Sequence, residues 1–392
     1  MYKLTEGRNV LLYWLYVVFN EPLFWGPILI TSLQKLAQMQ LADIYFMESA
    51  VLCICIALDI PSGALADLIG RKKTIIIGRV FLFSSAVLFT IMTTPLHAWI
   101  ANILWAVGYT MQNGADSAFL YDTLKGDSRE EEYKKIQGRI VGSRYIFIAF
   151  CSLLAGVLAN IDLRLPLWVG LPFMLISLVA AFFFKEPIKT KSYSAREQLA
   201  ILKEGFLSVF RSVEVRWMIG FAALLATTSK VWFFTYNPYF EFVELPLTQY
   251  GIIFFCLNAV AWLSSQYAYK IEHHLGERAC IIGMVLCIGI PILVMGCIPL
   301  QIFAYLVIVQ NVVRGFMSPF VGDYVNRHVT SDIRATALSI QSSAANFTAI
   351  LGLAMFGFST KNLGLLHSLI LLGIVVTLLG TLSYVRYAKK IA

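Results

Sequence analysis

Long apolar runs follow one another along almost the whole chain, with short polar segments between them. The hydrocarbon core of a bilayer is about 30 Å thick, so a helix needs about 20 apolar residues to cross it. The runs are too long and too continuous for the alternating strands of a membrane barrel. They predict an all-α membrane protein with twelve transmembrane helices, at residues 10–32, 42–62, 74–94, 97–119, 138–160, 164–184, 216–240, 247–269, 279–298, 301–324, 335–358 and 363–386. An eleven-helix alternative applies if the polar stretch around Asn237 and Pro238 divides the runs differently.

The composition supports the same class. Hydrophobic residues make up 58% of the chain and charged residues 14%, and the mean hydropathy is +0.73. These values exclude an ordinary soluble domain.

Positive charges are concentrated in the loops on one side of the predicted helices, and only Lys35, Arg164 and Lys361 fall in loops on the other side. By the positive-inside rule, the cation-rich loops and both termini are cytoplasmic. The net charge of +8 is therefore a topology signal and a contact to anionic lipid, and it requires no nucleic-acid partner. We expect a monomer embedded in the lipid bilayer of a bacterial inner membrane.

A long polar segment at residues 185–215 divides the predicted helices into two sets of six. Ser194 and Glu197 have the spacing of a capping box, and an apolar stripe at helical spacing follows them. This pattern predicts an amphipathic helix that lies along the cytoplasmic surface. The predicted domains are an N-terminal bundle at 1–184, the linker at 185–215 and a C-terminal bundle at 216–392.

The segment GALADLIGRKK, Gly63 to Lys73, joins the second and third predicted helices. Gly63 and Gly70 permit close helix approach and a tight turn. Asp67 can accept hydrogen bonds from the N-terminus of a neighbouring helix, where partial positive charge gathers. We interpret the segment as a breakable latch at an inner gate, formed by Asp59, Gly63, Asp67, Gly70, Arg71 and Lys72.

The pattern G-x-L-A-D-x-x-G-R-K-K resembles the signature loop of the major facilitator superfamily, and the preceding Asp59-Ile60-Pro61-Ser62 fits that family's approach to the loop. The resemblance extends over the whole chain in length and number of helices. It implies two pseudo-symmetric bundles that rock about a central substrate site, and thus a transporter and not an enzyme.

A weaker second copy of the loop follows the eighth predicted helix, at Tyr269 to Ala279. Aligning Gly70 with Gly276 places a cation, Arg278, opposite Lys72, and it places His273 opposite Asp67. The second copy keeps the turn glycine and loses the acidic residue, as is expected from the resemblance.

Acidic residues inside the predicted helices are candidates for proton coupling, because intramembrane charges are costly and usually functional. Glu21 lies near the middle of the first helix, and Pro22 and Pro27 break the helix after it. The alternative role for Glu21 is a structural hydrogen bond. Glu48 and Asp116 are the fallback proton carriers, and we expect Asp116 to pair with Arg139 or Arg144.

Three intramembrane cations, Arg144, Lys230 and Arg314, favour a small substrate with negative groups, such as a polycarboxylate or a siderophore. The alternative for each cation is one neutralising salt bridge. The remaining predicted substrate-binding residues are amides and aromatic side chains, namely Gln310, Asn311, Trp232 and Tyr236.

Motifs that the sequence lacks limit the class of membrane protein. The chain has no P-loop for ATP, no histidine box and no repeated selectivity filter, and its seven cysteines read as packing residues, so no cofactor or metal is expected. Thr110 stands where proton-driven drug exporters usually carry an arginine, four residues before Gly114. A drug or metabolite efflux antiporter therefore remains an alternative within the family. A membrane receptor or enzyme is the alternative from another class.

Overall fold

The computed structural model describes residues 7–20, 23–187, 212–328 and 334–391. All regular elements within these ranges are helices. The α-helices are α1 Arg8–Val18, α2 Leu29–Lys35, α3 Leu41–Ile69, α4 Arg71–Ile91, α5 Pro95–Gly126, α6 Tyr133–Ile161, α7 Leu165–Phe182, α8 Val213–Phe242, α9 Leu247–Leu275, α10 Glu277–Cys297, α11 Val307–His328 and α12 Arg334–Ile391. Short 3-10 helices occupy Glu130–Glu132 and Gln301–Leu306.

The twelve-helix prediction is confirmed. In the described part of the chain, nine helical stretches are long and apolar enough to cross a membrane, and the last, Ser339–Val385, contains two segments. The 32-residue α5 and the first segment, which is divided into α1 and α2, bring the number of membrane segments to twelve. The eleven-helix alternative has no support, because α8 continues without a break through Asn237 and Pro238.

Two of the predicted boundaries are informative. The first predicted helix, 10–32, is not continuous: α1 ends at Val18 and α2 begins at Leu29. Prolines at 22 and 27 explain the break, because proline removes a backbone donor and clashes with the preceding turn. In contrast, α12 spans both final predicted helices, and Gly364 separates them with φ 77°.

The chain divides into two compact units. Unit 1 comprises Met1–Gln40, Ala50–Ser192 and Pro246–Phe255, and unit 2 comprises Leu41–Ser49, Tyr193–Leu245 and Cys256–Ala392. The division into bundles at 1–184 and 216–392 stays a prediction. The predicted linker helix lies outside the described residues.

Small residues bring helices together inside each unit. In unit 1, α4 and α5 approach so closely that a Cβ on Gly78 would lie 2.9 Å from the carbonyl oxygen of Gly108. In unit 2, a Cβ on Gly373 of α12 would lie 2.7 Å from Leu293 Cγ of α10. Close approach at small residues is the usual way in which membrane helices gain packing energy.

Candidate functional site

A small cavity lies among α8, α10 and α11 in unit 2. Its lining combines aromatic rings, hydroxyl and amide groups and a single cation. The lining residues are Ser229, Trp232, Phe233, Tyr236, Ile288, Gln310, Asn311 and Arg314. The structure thus brings together five residues that the sequence predicted to bind substrate, two from α8 and three from α11.

Helical spacing explains how these side chains reach one cavity. On α8, Trp232 and Tyr236 are four residues apart, and on α11 the same spacing joins Gln310 to Arg314. Residues three or four apart lie on the same side of a helix. Asn311, three residues before Arg314, completes the polar face of α11.

Hydrogen bonds fix the orientation of the polar lining. Asn311 Nδ2 donates to Tyr236 Oη and to the Val307 carbonyl oxygen, each at 2.9 Å. Gln310 Nε2 donates to the Ile288 carbonyl oxygen at 3.4 Å. These contacts hold both amide side chains and the tyrosine hydroxyl in place.

Among the described residues that line the cavity, Arg314 is the one with a charge. Its Nη2 donates to Asn258 Oδ1 of α9 at 3.1 Å, and its side chain is exposed. A guanidinium exposed to hydrocarbon would be costly, so an exposed arginine within a membrane helix is expected to face a water-filled space. Sequence reasoning did not single out Asn258, although an amide within an apolar run was a usable signal.

Lys230 does not line this cavity. It neighbours Ser229 on α8, and its charge acts on Glu48 of α3, which is partly exposed. A cation and a carboxylate within electrostatic reach of each other inside a membrane protein lower the cost of burying either charge. The pairing was not predicted, because nothing in the sequence indicates that the start of α3 meets α8.

Asp116 belongs to a second polar cluster, in unit 1. Tyr16 Oη donates to Asp116 Oδ1 at 2.5 Å, and the Arg79 guanidinium lies 5.5 Å from the centre of the Tyr16 ring. The charges of Arg79 and Arg144 both act on the carboxylate. The expected influence of Arg144 is therefore present, whereas Tyr16, the residue that directly contacts Asp116, was not predicted.

Arg79 connects this cluster to the break after α1. It is fully buried, and its Nη1 donates to both the carbonyl and the side-chain oxygen of Asn20. Glu21, the next residue, lies outside the described part of the chain, so its role stays a prediction.

The turn between α3 and α4 makes acidic contacts that were not predicted. Gly70 has φ 100° and directly precedes α4. The carboxylate of Glu186 accepts hydrogen bonds from the backbone N–H of Arg71 at 2.7 Å and of Lys72 at 3.0 Å. Arg71 Nε also lies 2.9 Å from Asp122 Oδ2, and the Asp122 side chain is buried. Glu186 and Asp122 therefore supply the acidic contacts at this turn.

The other predicted latch residues have varied placements. Among the described residues, no atom lies within 4 Å of a Cβ built on Gly63, and the role of Gly63 in the latch stays a prediction. Asp59 is exposed. The side chain of Asp67 lies outside the described part of the chain, and its role in the latch stays a prediction.

The second loop repeats the turn with a different set of charges. Gly276 has φ 78° and precedes α10, as Gly70 precedes α4. Arg327 Nη2 lies 2.5 Å from Glu272 Oε1 and 2.5 Å from Asp323 Oδ2, and its Nη1 lies 3.8 Å from Glu277 Oε2. The hydrogen bond to Glu272 raises the pKa of the Arg327 guanidinium.

Comparisons with known proteins agree with this architecture. The family described as the Major Facilitator Superfamily matches residues 13–270. An uncharacterized MFS-type transporter of Bacillus subtilis (strain 168), YxaM, is 22% identical over 329 residues, which are 78% of each chain.

Solved structures show the same fold. A mutant of the nucleoside transporter NupG has a TM-score of 0.80 at 15% identity, covering 96% of this chain and 100% of its own. A D-xylose-proton symporter has a TM-score of 0.70 at 15% identity, covering 96% of each chain. A bacterial homologue of the human lysosomal transporter Spinster has a TM-score of 0.75 at 15% identity, covering 96% of this chain and 95% of its own. The chain belongs to the Major Facilitator Superfamily and is a multi-pass membrane transporter, not an enzyme.

Proposed function

We propose that the protein is a proton-coupled transporter of a small anionic metabolite, and that the anion binds to Arg314. The observation that carries the proposal is the cavity in unit 2, whose lining holds that one cation among amide, hydroxyl and aromatic groups. Small-molecule sites combine apolar walls with a few convergent polar groups in this way.

Arg314 suits an anion for two reasons. Its guanidinium retains donors beyond the one that bonds Asn258, and a guanidinium can hold a carboxylate through two parallel hydrogen bonds. The Asn258 contact also fixes the side chain before a ligand arrives, so less side-chain entropy is lost on binding.

Two described carboxylates support proton coupling. Asp116 accepts a hydrogen bond from Tyr16 and feels the charges of Arg79 and Arg144. Glu48 feels the charge of Lys230. Gain or loss of a proton at either carboxylate changes its interaction with a neighbouring cation and can bias one conformation over another. We retain Glu21 as the first proton carrier to test, because it follows Asn20, the contact of the buried Arg79.

The transport cycle is proposed to be alternating access between two six-helix bundles. The loops that contain Gly70 and Gly276 are assigned to the cytoplasmic side on the distribution of Lys and Arg, and the membrane is assigned as a bacterial inner membrane. The Arg71–Asp122 and Arg327–Glu272 contacts would then stabilise the cytoplasmic ends of helices within each unit.

The test is binding and transport by purified protein. A panel of small carboxylates, sugars and nucleosides is screened for ligands that raise thermal stability, because a ligand that binds the native state stabilises it by mass action. Hits are then tested for uptake into reconstituted vesicles. We expect carboxylates among the hits, and we expect imposed inward proton gradients to drive their accumulation.

Variants at Arg314 test the anion-binding role. Loss of a charge-assisted contact of about 1.5–3 kcal/mol should weaken binding about tenfold to over a hundredfold in Arg314→Ala, with partial recovery in Arg314→Lys. Lys361→Ala removes an exposed cation of α12 that does not line the cavity, and it should bind as the wild type does. Wild-type affinity in a folded Arg314→Ala protein would contradict the proposal.

A further inference from the structure

Two buried polar atoms in the Arg314 cavity have unused hydrogen-bonding capacity. Trp232 is 1% exposed and Gln310 is 4% exposed. Among the described residues, neither the Trp232 Nε1 donor nor the Gln310 Oε1 acceptor has a hydrogen-bond partner. Leaving a buried polar group without a partner is unfavourable. Both residues line the same cavity, so a bound molecule could supply a partner to each of these atoms.

The apolar part of the lining is aromatic. Phe233 and Tyr236 line the cavity, and their ring centres are 6.1 Å apart at an interplanar angle of 66°. The ring of Trp232 meets that of Tyr236 edge-on, with centres 5.8 Å apart. Because Asn311 holds the Tyr236 hydroxyl, this wall is rigid. Rigid rings favour a flat ligand, which can stack on one ring or meet it edge-on.

The charge of the cavity limits the ligand to one carboxylate in this region. Within the described part of the chain, Arg314 is the single cation of the lining, with no lysine or second arginine beside it. A second carboxylate would lose its hydration and gain no ion pair, which is strongly unfavourable in a mostly apolar site.

We infer that this cavity receives a planar aromatic or heteroaromatic monocarboxylate whose ring carries a group that both donates and accepts a hydrogen bond. Arg314 binds the carboxylate, Trp232 Nε1 donates to the ring substituent, and Gln310 Oε1 accepts from it. A phenolic hydroxyl or a carboxamide meets both requirements. The inference rests on the proposed function, because it names the class of anion that Arg314 binds.

Four acids that differ in one property each test the inference by direct binding to the purified full-length protein. 3-Hydroxybenzoate carries all the required features, benzoate lacks the hydroxyl, cyclohexanecarboxylate lacks the planar ring, and isophthalate replaces the hydroxyl with a second carboxylate. We expect 3-hydroxybenzoate to bind about tenfold more tightly than benzoate. Benzoate should bind about two- to tenfold more tightly than cyclohexanecarboxylate, and isophthalate should bind most weakly.

Two conservative variants test the hydrogen bonds. Trp232→Phe keeps an aromatic ring and removes the N–H donor, and Gln310→Met keeps the length and removes the amide. Each should reduce the affinity ratio of 3-hydroxybenzoate to benzoate about three- to tenfold. Trp168→Phe, at an exposed tryptophan of α7, is the matched control and should leave the ratio unchanged. Size-exclusion profiles and melting temperatures establish that each variant is folded.

The outcomes separate this inference from the proposed function. Three results would overturn the inference. The first is an unchanged affinity ratio of 3-hydroxybenzoate to benzoate in both folded variants. The others are tighter binding of cyclohexanecarboxylate or isophthalate than of 3-hydroxybenzoate, and failure of the wild type to bind any of the four acids. Arg314-dependent transport of an aliphatic or inorganic anion would also overturn it and would leave the proposed function intact. Ligands that bind equally well to Arg314→Ala would overturn both.

Discussion

Replacing Glu186 is expected to loosen the beginning of α4. Its two carboxylate oxygens accept the backbone N–H groups of Arg71 and Lys72 at 2.7 and 3.0 Å. These donors belong to the first turn of a helix, where backbone N–H groups have no partner within the helix. A negative charge at this end also interacts favourably with the helix dipole. Glu186 therefore acts as an N-terminal cap supplied from the residues that follow α7.

The magnitude follows from the contacts and the exposure. Loss of a side-chain cap costs about 0.5–2 kcal/mol. Glu186 is exposed, so solvent screens its charge and a value near about 1 kcal/mol applies to Glu186→Ala. Glu186→Gln keeps one oxygen acceptor and should lose about half as much. A change of about 1 kcal/mol raises the equilibrium constant for local opening about fivefold.

Hydrogen–deuterium exchange measures this opening directly, because native-state exchange reports local unfolding free energies. Peptides that cover the first turn of α4 should exchange about fivefold faster in Glu186→Ala and about twofold faster in Glu186→Gln. Glu131→Ala, at an exposed carboxylate on the Glu130–Glu132 turn, is the control. Wild-type exchange in the first turn of α4 in folded Glu186→Ala protein would refute the capping argument.

Two further perturbations address the proton pathway. If Glu21 carries the proton, Glu21→Gln should abolish pH-driven accumulation in vesicles while substrate exchange persists, and retained accumulation would exclude this residue as the carrier. Tyr16→Phe removes the hydrogen bond to Asp116 and should destabilise the protein by about 1–3 kcal/mol, measured as a lower melting temperature in detergent. An unchanged melting temperature would mean that the contact contributes no net stability.

The membrane fold was predictable because the bilayer imposes a length on every helix. Apolar runs of about 20 residues identified the helices without any knowledge of packing. Proline explained the break before α2. The last two predicted helices were correctly treated as separate, because the backbone of α12 is not helical at Gly364. Local chemistry was sufficient for these features, because each depends on residues close together in the chain.

The candidate site was predictable only where one helix contributes several side chains. Gln310, Asn311 and Arg314 form a polar face on α11, and the sequence alone indicated that face. Ile288 and Asn258 come from other helices, and their approach to Arg314 depends on packing between helices. Such contacts leave no local signal in a single sequence. For the same reason, the contact of Tyr16 with Asp116 and the effect of Lys230 on Glu48 were not predicted.

The turns at Gly70 and Gly276 have the same structure although the residues around them differ. In the first, the residue after the glycine is Arg71, and it pairs with Asp122 near the end of α5. In the second, the residue after the glycine is Glu277, and it lies 3.8 Å from Arg327 near the end of α11. The positions correspond and the charges are reversed. An alignment of the two turns shows different residues at these positions. The attraction between the two charges is nevertheless the same, because it does not depend on which helix carries the positive charge.

This argument predicts that the first ion pair tolerates exchange of its charges. Asp122 is buried, so Arg71→Asp or Asp122→Arg alone places like charges together and should destabilise the protein by about 3 kcal/mol. The double variant restores a pair of opposite charges and should recover a large part of the lost stability. A double-mutant cycle on the free energies of unfolding measures this recovery. Arg129 and Glu132, an exposed pair three residues apart, provide the control, because charge reversal there should change stability by less than about 1 kcal/mol. If the double variant is no more stable than the less stable of the two single variants, the Arg71–Asp122 pair depends on the specific geometry of the guanidinium and not on charge alone.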